Sequence, residues 1–494
     1  MSLTTKPPQV KNQIAGSIFR LLEIRSPYKV WLFLFCLLLS TSIAYVIPES
    51  TGLKDDARCA LFILVFAASL WISDAIPAFA VGILIIGLQI ALLGKPGGVF
   101  AQTSHDWERF VVVLGHPLIW LFFGGFVLAA GMSKTSLDYM LANRLILRKN
   151  TTPTSLLISV LGTTFLLSMF ISNTATAAMI LAMLRPIWAK PKTGKYVTGL
   201  VLVVSLGANL GGMGSLIGTP PNAIAVGSLE KMPEPISIPF LEWMVLGLPP
   251  ALLMIVLLTF YLKRQYIGNE ISISTILEQM TVPTTSGTLT DTDHEIRSVA
   301  RWQRVTVMGT SLVTIALWMT GQWHGLPTAV VSFVPIVVFT TSGVLTNKDV
   351  RSLQYDVLFL LAGGLALGET ITMTGLSGWL VEHLPTDSIG SFWLVLLLGY
   401  TTVLFSNFMS NTAGANILVP LGITLNPGME LETAVVIALC ASAAMCLPVA
   451  TPPNAMVYST EKCSSRDFLK LGLILGLIAP PLCAAWVTLV GMMM

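Results

Sequence analysis

The sequence predicts an all-α polytopic membrane protein made of two inverted repeats. Three observations predict it: the composition, the spacing of the apolar runs, and three motifs that occur twice in the same order. Hydrophobic residues make up 54% of the 494 and charged residues only 11%, against about 25% charged in soluble domains. Mean hydropathy over the whole chain is +0.78, so most of it is suited to membrane lipid. A net charge of +3 is too small to suggest a nucleic-acid partner. Cys36, Cys59, Cys440, Cys446, Cys463 and Cys483 show no metal or redox spacing and read as packing residues.

A hydrocarbon core of about 30 Å takes roughly 20 apolar residues per helix. Candidate spans lie at 30–47, 59–76, 79–94, 118–136, 196–217, 240–262, 305–322, 326–343, 355–374 and 468–491. Residues 1–29 are polar and basic (Lys6, Lys11, Arg20, Arg25, Lys29) and read as a cytoplasmic N-terminal segment. No small-x-small cleavage pattern follows the first apolar run, so 30–58 reads as a retained first span and not a signal peptide. Regions 153–190 and 391–425 are apolar but broken, and 432–458 is interrupted by Pro448, Pro452 and Pro453. The long polar stretch 263–304 carries Lys263, Arg264, Arg297, Arg301 and Arg304. It reads as a cytoplasmic linker between repeat 1 (59–262) and repeat 2 (305–494).

The repeat is visible in the residues. Gly124-Gly125 answers Gly363-Gly364, Ser172-Asn173-Thr174-Ala175 answers Ser410-Asn411-Thr412-Ala413, and Thr219-Pro220-Pro221-Asn222-Ala223 answers Thr451-Pro452-Pro453-Asn454-Ala455, at offsets of 239, 238 and 232 residues. Phe240 with Pro249-Pro250 and Phe468 with Pro480-Pro481 give a fainter echo. If the Ser-Asn-Thr regions are re-entrant hairpins and the N-terminus is cytoplasmic, then Arg144, Arg148, Lys149, Arg185, Lys190, Lys192, Lys195, Lys348, Arg351, Lys462, Arg466, Lys470 and the linker all fall inside. Residues 352–460 hold no Lys or Arg, as the positive-inside rule asks of outer loops. The count is about eleven spans, one in front and five per repeat. An odd number turns the second repeat upside down, the pattern of secondary transporters.

Each Ser-Asn-Thr motif sits inside an apolar region too interrupted for a clean span. Non-helical backbone at membrane depth survives only where protein or a water-lined cavity encloses it. Half-helices meeting at a polar tip satisfy that condition, and their ends present N–H groups to anions and C=O groups to cations. A lone Ser-Asn-Thr would read as ordinary interhelical glue; two copies coupled to a second motif do not. In Gly218-Thr219-Pro220-Pro221-Asn222 and Ala450-Thr451-Pro452-Pro453-Asn454, the paired prolines remove two donors and break a helix. Gly207, Gly211, Gly212 and Gly214 precede the first break and permit close backbone approach. Neither motif pair contains Lys, Arg, Asp, Glu or His. A dianion near the midplane would be costly without compensation, so bound cations and helix dipoles must supply it. Two sodium ions, one per repeat, would balance two carboxylates.

Asp74, Asp356 and Glu369 lie near span ends and read as interfacial or hydrogen-bonded. His105 and His116 read as structural, and the sequon at Asn150 falls on the inner side. No His-x-x-His, cysteine pair or carboxylate pair occurs in the broken segments, so an enzyme is the disfavoured class. A channel is disfavoured by the inverted breaks.

These motifs, with the run 71–77 (Trp71 to Pro77) and Phe123-Gly-Gly-Phe126, make the chain resemble the divalent anion/sodium symporter family over roughly residues 30 to 490. The resemblance implies a homodimer in a membrane, with a scaffold domain and a transport domain that moves as an elevator. It implies sodium-coupled symport of C4 dicarboxylates such as succinate, malate and fumarate, in a bacterial inner membrane. By matching position it places one sodium site at Ser168, Ser172, Asn173 and the Gly218 backbone. The second falls at Ser406, Ser410, Asn411 and the Ala450 backbone. Substrate carboxylates then meet Asn173, Thr174, Thr219 and Pro220 on one side and Asn411, Thr412, Thr451 and Pro452 on the other. The family also contains sodium-independent anion exchangers. The intact Ser/Asn sets in both repeats favour the symporter.

Overall fold

A computed structural model describes residues 27–96, 100, 103–146, 152–188, 194–267, 299–383 and 389–493. Residues 1–26, most of the 263–304 linker, and the loops carrying Arg148, Lys149, Asn150, Lys190 and Lys192 lie outside the described residues.

The described residues are helical and contain no strand. In chain order the principal helices are α1 (Pro27–Val46), α2 (Asp55–Ser73), α3 (Ala78–Gln89), α4 (Pro117–Lys134), α5 (Leu137–Ile146), α6 (Pro153–Ser168), α7 (Asn173–Trp188), α8 (Gly194–Met213), α9 (Pro220–Glu230) and α10 (Phe240–Tyr266). They continue with α11 (Arg301–Met319), α12 (Phe333–Thr341), α13 (Tyr355–Met373), α14 (Leu376–His383), α15 (Ser391–Ser406), α16 (Asn411–Leu425), α17 (Glu430–Ser442), α18 (Pro452–Tyr458) and α19 (Ser465–Gly491). After α1, the series α4 to α10 recurs as α13 to α19, element for element. Seven helices among the described residues are long and apolar enough to cross a membrane, and Ala78–Gly94, Pro153–Ser168, Thr328–Thr341 and Ser391–Ser406 are apolar but shorter.

Helix ends follow local chemistry. The span expected at 59–76 starts earlier, at Asp55, with Asp55 and Asp56 in the first turn favouring its N-terminus. It stops where Asp74 turns left-handed at φ 49°. Trp71 closes that turn by donating from Nε1 to the Ala78 carbonyl at 3.2 Å, and Lys29 reaches the Asp74 carbonyl at 2.9 Å. The span expected at 326–343 is divided at Ser332, between a short turn (Thr328–Val331) and α12. Pro249-Pro250 and Pro480-Pro481, by contrast, sit inside unbroken helices of 27 residues each, α10 and α19.

The hairpin arms α6 and α7 have 16 residues apiece, and α15 and α16 have 16 and 15. At 1.5 Å per residue each is about 24 Å long, short of a ~30 Å hydrocarbon core. The two series exchange partners: α9 of the first packs on α16 and α17 of the second, and α18 of the second packs on α7 and α8 of the first. The interrupted segments of each half are thus covered by the other; the first hairpin tip and both breaks sit in one large apolar core, and Met409 and Ala413 at the second tip belong to another. A second cluster gathers α2, α3 and one face of α13.

One close crossing joins α3 to α13. A Cβ at Gly363 would fall on the Gly82 backbone, so only glycine lets the two helices meet there. Gly363→Val should therefore remove most monodisperse protein from size-exclusion profiles in detergent. Gly87→Ala, on the same α3 where an added Cβ meets nothing within 4 Å, should leave the profile unchanged. Equal behaviour of the two variants would show that the crossing is not a constraint.

Candidate anion and cation site

The two tips and the two breaks line one cavity of about 340 Å³. The first half contributes Ser172, Asn173, Thr174, Gly218, Thr219 and Pro220; the second contributes Ser410, Asn411, Thr412, Ala450, Thr451 and Pro452. Every substrate-contact residue expected from the sequence is on this wall. Of the expected cation ligands, Ser168 and Ser406 lie behind it, fully buried at the C-terminal ends of α6 and α15.

The same backbone logic builds both halves. Ser172 Oγ accepts from the Ala175 N–H at 3.2 Å, and Ser410 Oγ from the Ala413 N–H at 3.1 Å. Each serine caps the second arm of its hairpin, satisfying a donor that the helix leaves orphaned. At the breaks, the prolines occupy the first helical positions of α9 and α18, where no N–H is missed. Asn222 donates from Nδ2 to the Gly212 and Ser215 carbonyls at 2.8 and 2.7 Å. Asn454 does the same to Leu447 at 3.1 Å. A Cβ at Gly218 would strike the Gly212 carbonyl, and one at Gly212 would lie 2.9 Å from Asn173 Nδ2. Small residues let the break reach the hairpin tip.

Oxygen atoms gather where cations were expected. Ser168 Oγ lies 2.6 Å from Asn173 Oδ1 and 2.8 Å from the Ala208 carbonyl. Three oxygens share a single hydroxyl proton there. In the second half Ser406 Oγ and Asn411 Oδ1 are buried without a hydrogen-bond partner among the described residues, a costly condition unless something else fills their lone pairs. Hard neutral oxygens of this kind suit alkali and alkaline-earth cations.

Several residues here gave no sign in the sequence. Asn209 donates from α8 to Thr451 Oγ1 and Asn454 Oδ1, both at 3.1 Å, across the boundary between repeats. Asn407 Oδ1 accepts from the Cys446 N–H at 2.7 Å and ties the second hairpin to its break. In the first half Ser215 Oγ bonds to the Met169 carbonyl for the same purpose. None of these residues is duplicated, so comparing the repeats passes over them. Phe122, Phe126, Phe170, Ile217 and Val357 supply apolar wall, and Gln354 and Asp356 stand at the start of α13. Asp356, expected to be interfacial, is exposed on the cavity wall. Glu369 pairs with Lys231 at 2.5 Å, and His116 Nε2 lies 3.8 Å from Glu230.

Several proteins to which this chain is similar are named as transporters. The sodium-dependent dicarboxylate transporter SdcS of Staphylococcus saprophyticus is 28% identical over 87% of this chain and 85% of its own length. An uncharacterized transporter of Haemophilus influenzae is 29% identical over 89% of this chain and 93% of its own. Among solved structures, the YdaH transporter of Alcanivorax borkumensis shares the fold with a TM-score of 0.53, at 13% identity over 83% of this chain and 97% of that one. Residues 60–443 match the citrate transporter family, CitMHS. This integral membrane protein, whose two broken-helix modules line one cavity, belongs to the citrate transporter family.

Proposed function

We propose that the chain is a secondary transporter that carries C4 dicarboxylates such as succinate, malate and fumarate together with sodium ions. The observation that carries this reading is the wall of the central cavity, which offers hydroxyls, amides and helix N-termini from both repeats and no Lys or Arg among its lining residues. A dianion held there needs cations that arrive with it. The oxygen cluster at Ser168, Asn173 and Ala208 and the unpartnered oxygens of Ser406 and Asn411 suit that role. Ser172 and Ser410 retain a lone pair after capping, and Gly218 and Ala450 line the same wall. Asn173, Thr174 and Thr219 face one carboxylate in this reading, and Asn411, Thr412 and Thr451 the other, with Pro220 and Pro452 shaping the gap. The SdcS relatives are named as sodium-dependent dicarboxylate transporters, which supports the same cargo.

We further read α6–α10 and α15–α19 as the moving body and the remaining helices as a scaffold that dimerises in a bacterial inner membrane, the N-terminus cytoplasmic. The cavity reaches the scaffold at Phe122, Phe126, Ala129, Gln354 and Asp356, near the end where Lys134 pairs with Asp349. The positive-inside rule makes that end cytoplasmic. The Lys231–Glu369 pair ties α13 to the opposite end of α9. The state described is then open inward.

Uptake of radiolabelled succinate into proteoliposomes tests the coupling. Replacing external sodium by choline should lower the rate at least tenfold, and an unchanged rate would replace symport by anion exchange.

Ser406→Ala tests the second cation site by stability alone. Removing an unpartnered buried hydroxyl should leave thermal stability in sodium-free buffer equal to or above that of the parent. A ligand at a hundred times its Kd stabilises by about 2.7 kcal/mol, and the variant should lose roughly half or more of the sodium-induced rise in Tm. A full sodium response in Ser406→Ala would remove that residue from the site.

A further inference from the structure

Asn209 is 1% exposed and stands on α8, in the first repeat. At the 232-residue offset that relates the two breaks, its counterpart is Ala441. The second repeat therefore has no equivalent side chain, and whatever Asn209 does makes the cavity asymmetric.

The hydrogen-bond roles follow one from another. The Leu447 carbonyl can only accept, so the Asn454 nitrogen 3.1 Å away donates to it. That turns Asn454 Oδ1 toward Asn209, which must present its own nitrogen at 3.1 Å. The second hydrogen of that nitrogen reaches Thr451 Oγ1 at 3.1 Å. The backbone N–H of Asn454 donates to the same hydroxyl at 3.3 Å. A hydroxyl has two lone pairs and one proton. Both lone pairs of Thr451 are occupied, the residue lines the cavity, and its proton is left without a protein acceptor among the described residues. Thr219, at the matching position of the first repeat, makes no side-chain hydrogen bond to protein among the described residues. Its hydroxyl is free to turn either way.

We propose that Asn209 is a positioning residue that holds Thr451 as an obligatory hydrogen-bond donor to one carboxylate of the bound anion. The second-repeat side of the cavity then grips that carboxylate in a fixed geometry, and the Thr219 side adjusts to the rest of the anion. The proposal rests on the dicarboxylate reading above. It also gives α8 a double attachment, because the Ala208 carbonyl belongs to the oxygen cluster with Ser168 and Asn173. One turn of helix touches the expected cation ligands of one repeat and the expected anion donor of the other.

The test uses the full-length protein in proteoliposomes with radiolabelled succinate, and variants Asn209→Ala, Asn209→Asp, Thr451→Ala and the double Asn209→Ala/Thr451→Ala. Asn209→Ala should raise KM about tenfold, the scale of one hydrogen bond to a charged group, with the saturated rate kept within about twofold. The sodium concentration giving half the thermal shift without anion should not move. Asn209→Asp is the same size but offers only acceptors, so it should draw the Thr451 proton to itself. KM should rise further than in Asn209→Ala and fall back as acid protonates the introduced carboxyl. In the Thr451→Ala background, Asn209→Ala should add nothing. An unchanged KM in Asn209→Ala, additive losses in the double variant, or Asp tolerated better than Ala each overturns the proposal. If Asn209→Ala yields no folded protein, the KM and pH profile of Asn209→Asp decide alone. A parent protein that takes up none of succinate, malate or fumarate overturns the function reading itself, and this proposal with it.

Discussion

An interrupted helix at membrane depth exposes donors and acceptors that lipid cannot satisfy, and the arrangement of this protein follows from enclosing four such interruptions. Two are hairpin tips and two are proline breaks. Each is capped locally, by Ser172 and Ser410 at the tips and by Asn222 and Asn454 at the breaks. Local caps do not suffice, because the ends still have to be kept from lipid. The reciprocal packing of α9 on α16 and α17, and of α18 on α7 and α8, does that. Bringing all four ends together creates the cavity as a consequence of burying them.

The two halves reach the same result with different atoms. Hairpin is tied to break by Ser215 and the Met169 carbonyl in one half, and by Asn407 and the Cys446 N–H in the other. Gly218 is required because the opposing Gly212 carbonyl comes so near, whereas the counterpart position holds Ala450. Duplication set the plan, and each copy then met its own packing constraints. The glycine pairs divide their work in a comparable way. Gly124 and Gly363 face Ser332 and Gly82, away from the breaks, whereas Gly125 and Gly364 face Ile217 at the first break and Asn416 on the second hairpin. One glycine of each pair closes the outer helices on one another, and the next lets a broken module lie against them.

How much of this is legible in the sequence depends on whether a residue acts through its repeat or through its neighbours. The helices announce themselves by apolar length, and the candidate spans match the observed ones to within a few residues. The cavity wall is legible too, because Asn173, Thr219, Asn411 and Thr451 sit in motifs that occur twice. Asn209 occurs once inside an apolar helix and Asn407 once just past the end of another, where a single asparagine looks like any other buried amide. Their roles come from contacts across the repeat boundary, which no local pattern encodes. Asp356 shows a different difficulty. Its place near the end of a span identifies an interface, but not that the interface is the mouth of the cavity.

The distribution of charge ties these points together. Three acidic groups near helix ends are accompanied by cations: Asp74 by Lys29, Glu369 by Lys231, Asp349 by Lys134. No such pair enters the cavity, where the one ionisable side chain among the lining residues is the negative Asp356 at the edge. A fixed lysine or arginine would bind a dianion tightly in every state and would oppose its release, since an interaction that does not differ between two conformations cannot bias them. Neutral oxygens avoid that trap. Under the proposed symport they would hold a cation moderately, the cation would hold the anion, and dispersal of the cation on one side of the membrane would release both. On this argument the missing basic residue is what allows the cavity to empty.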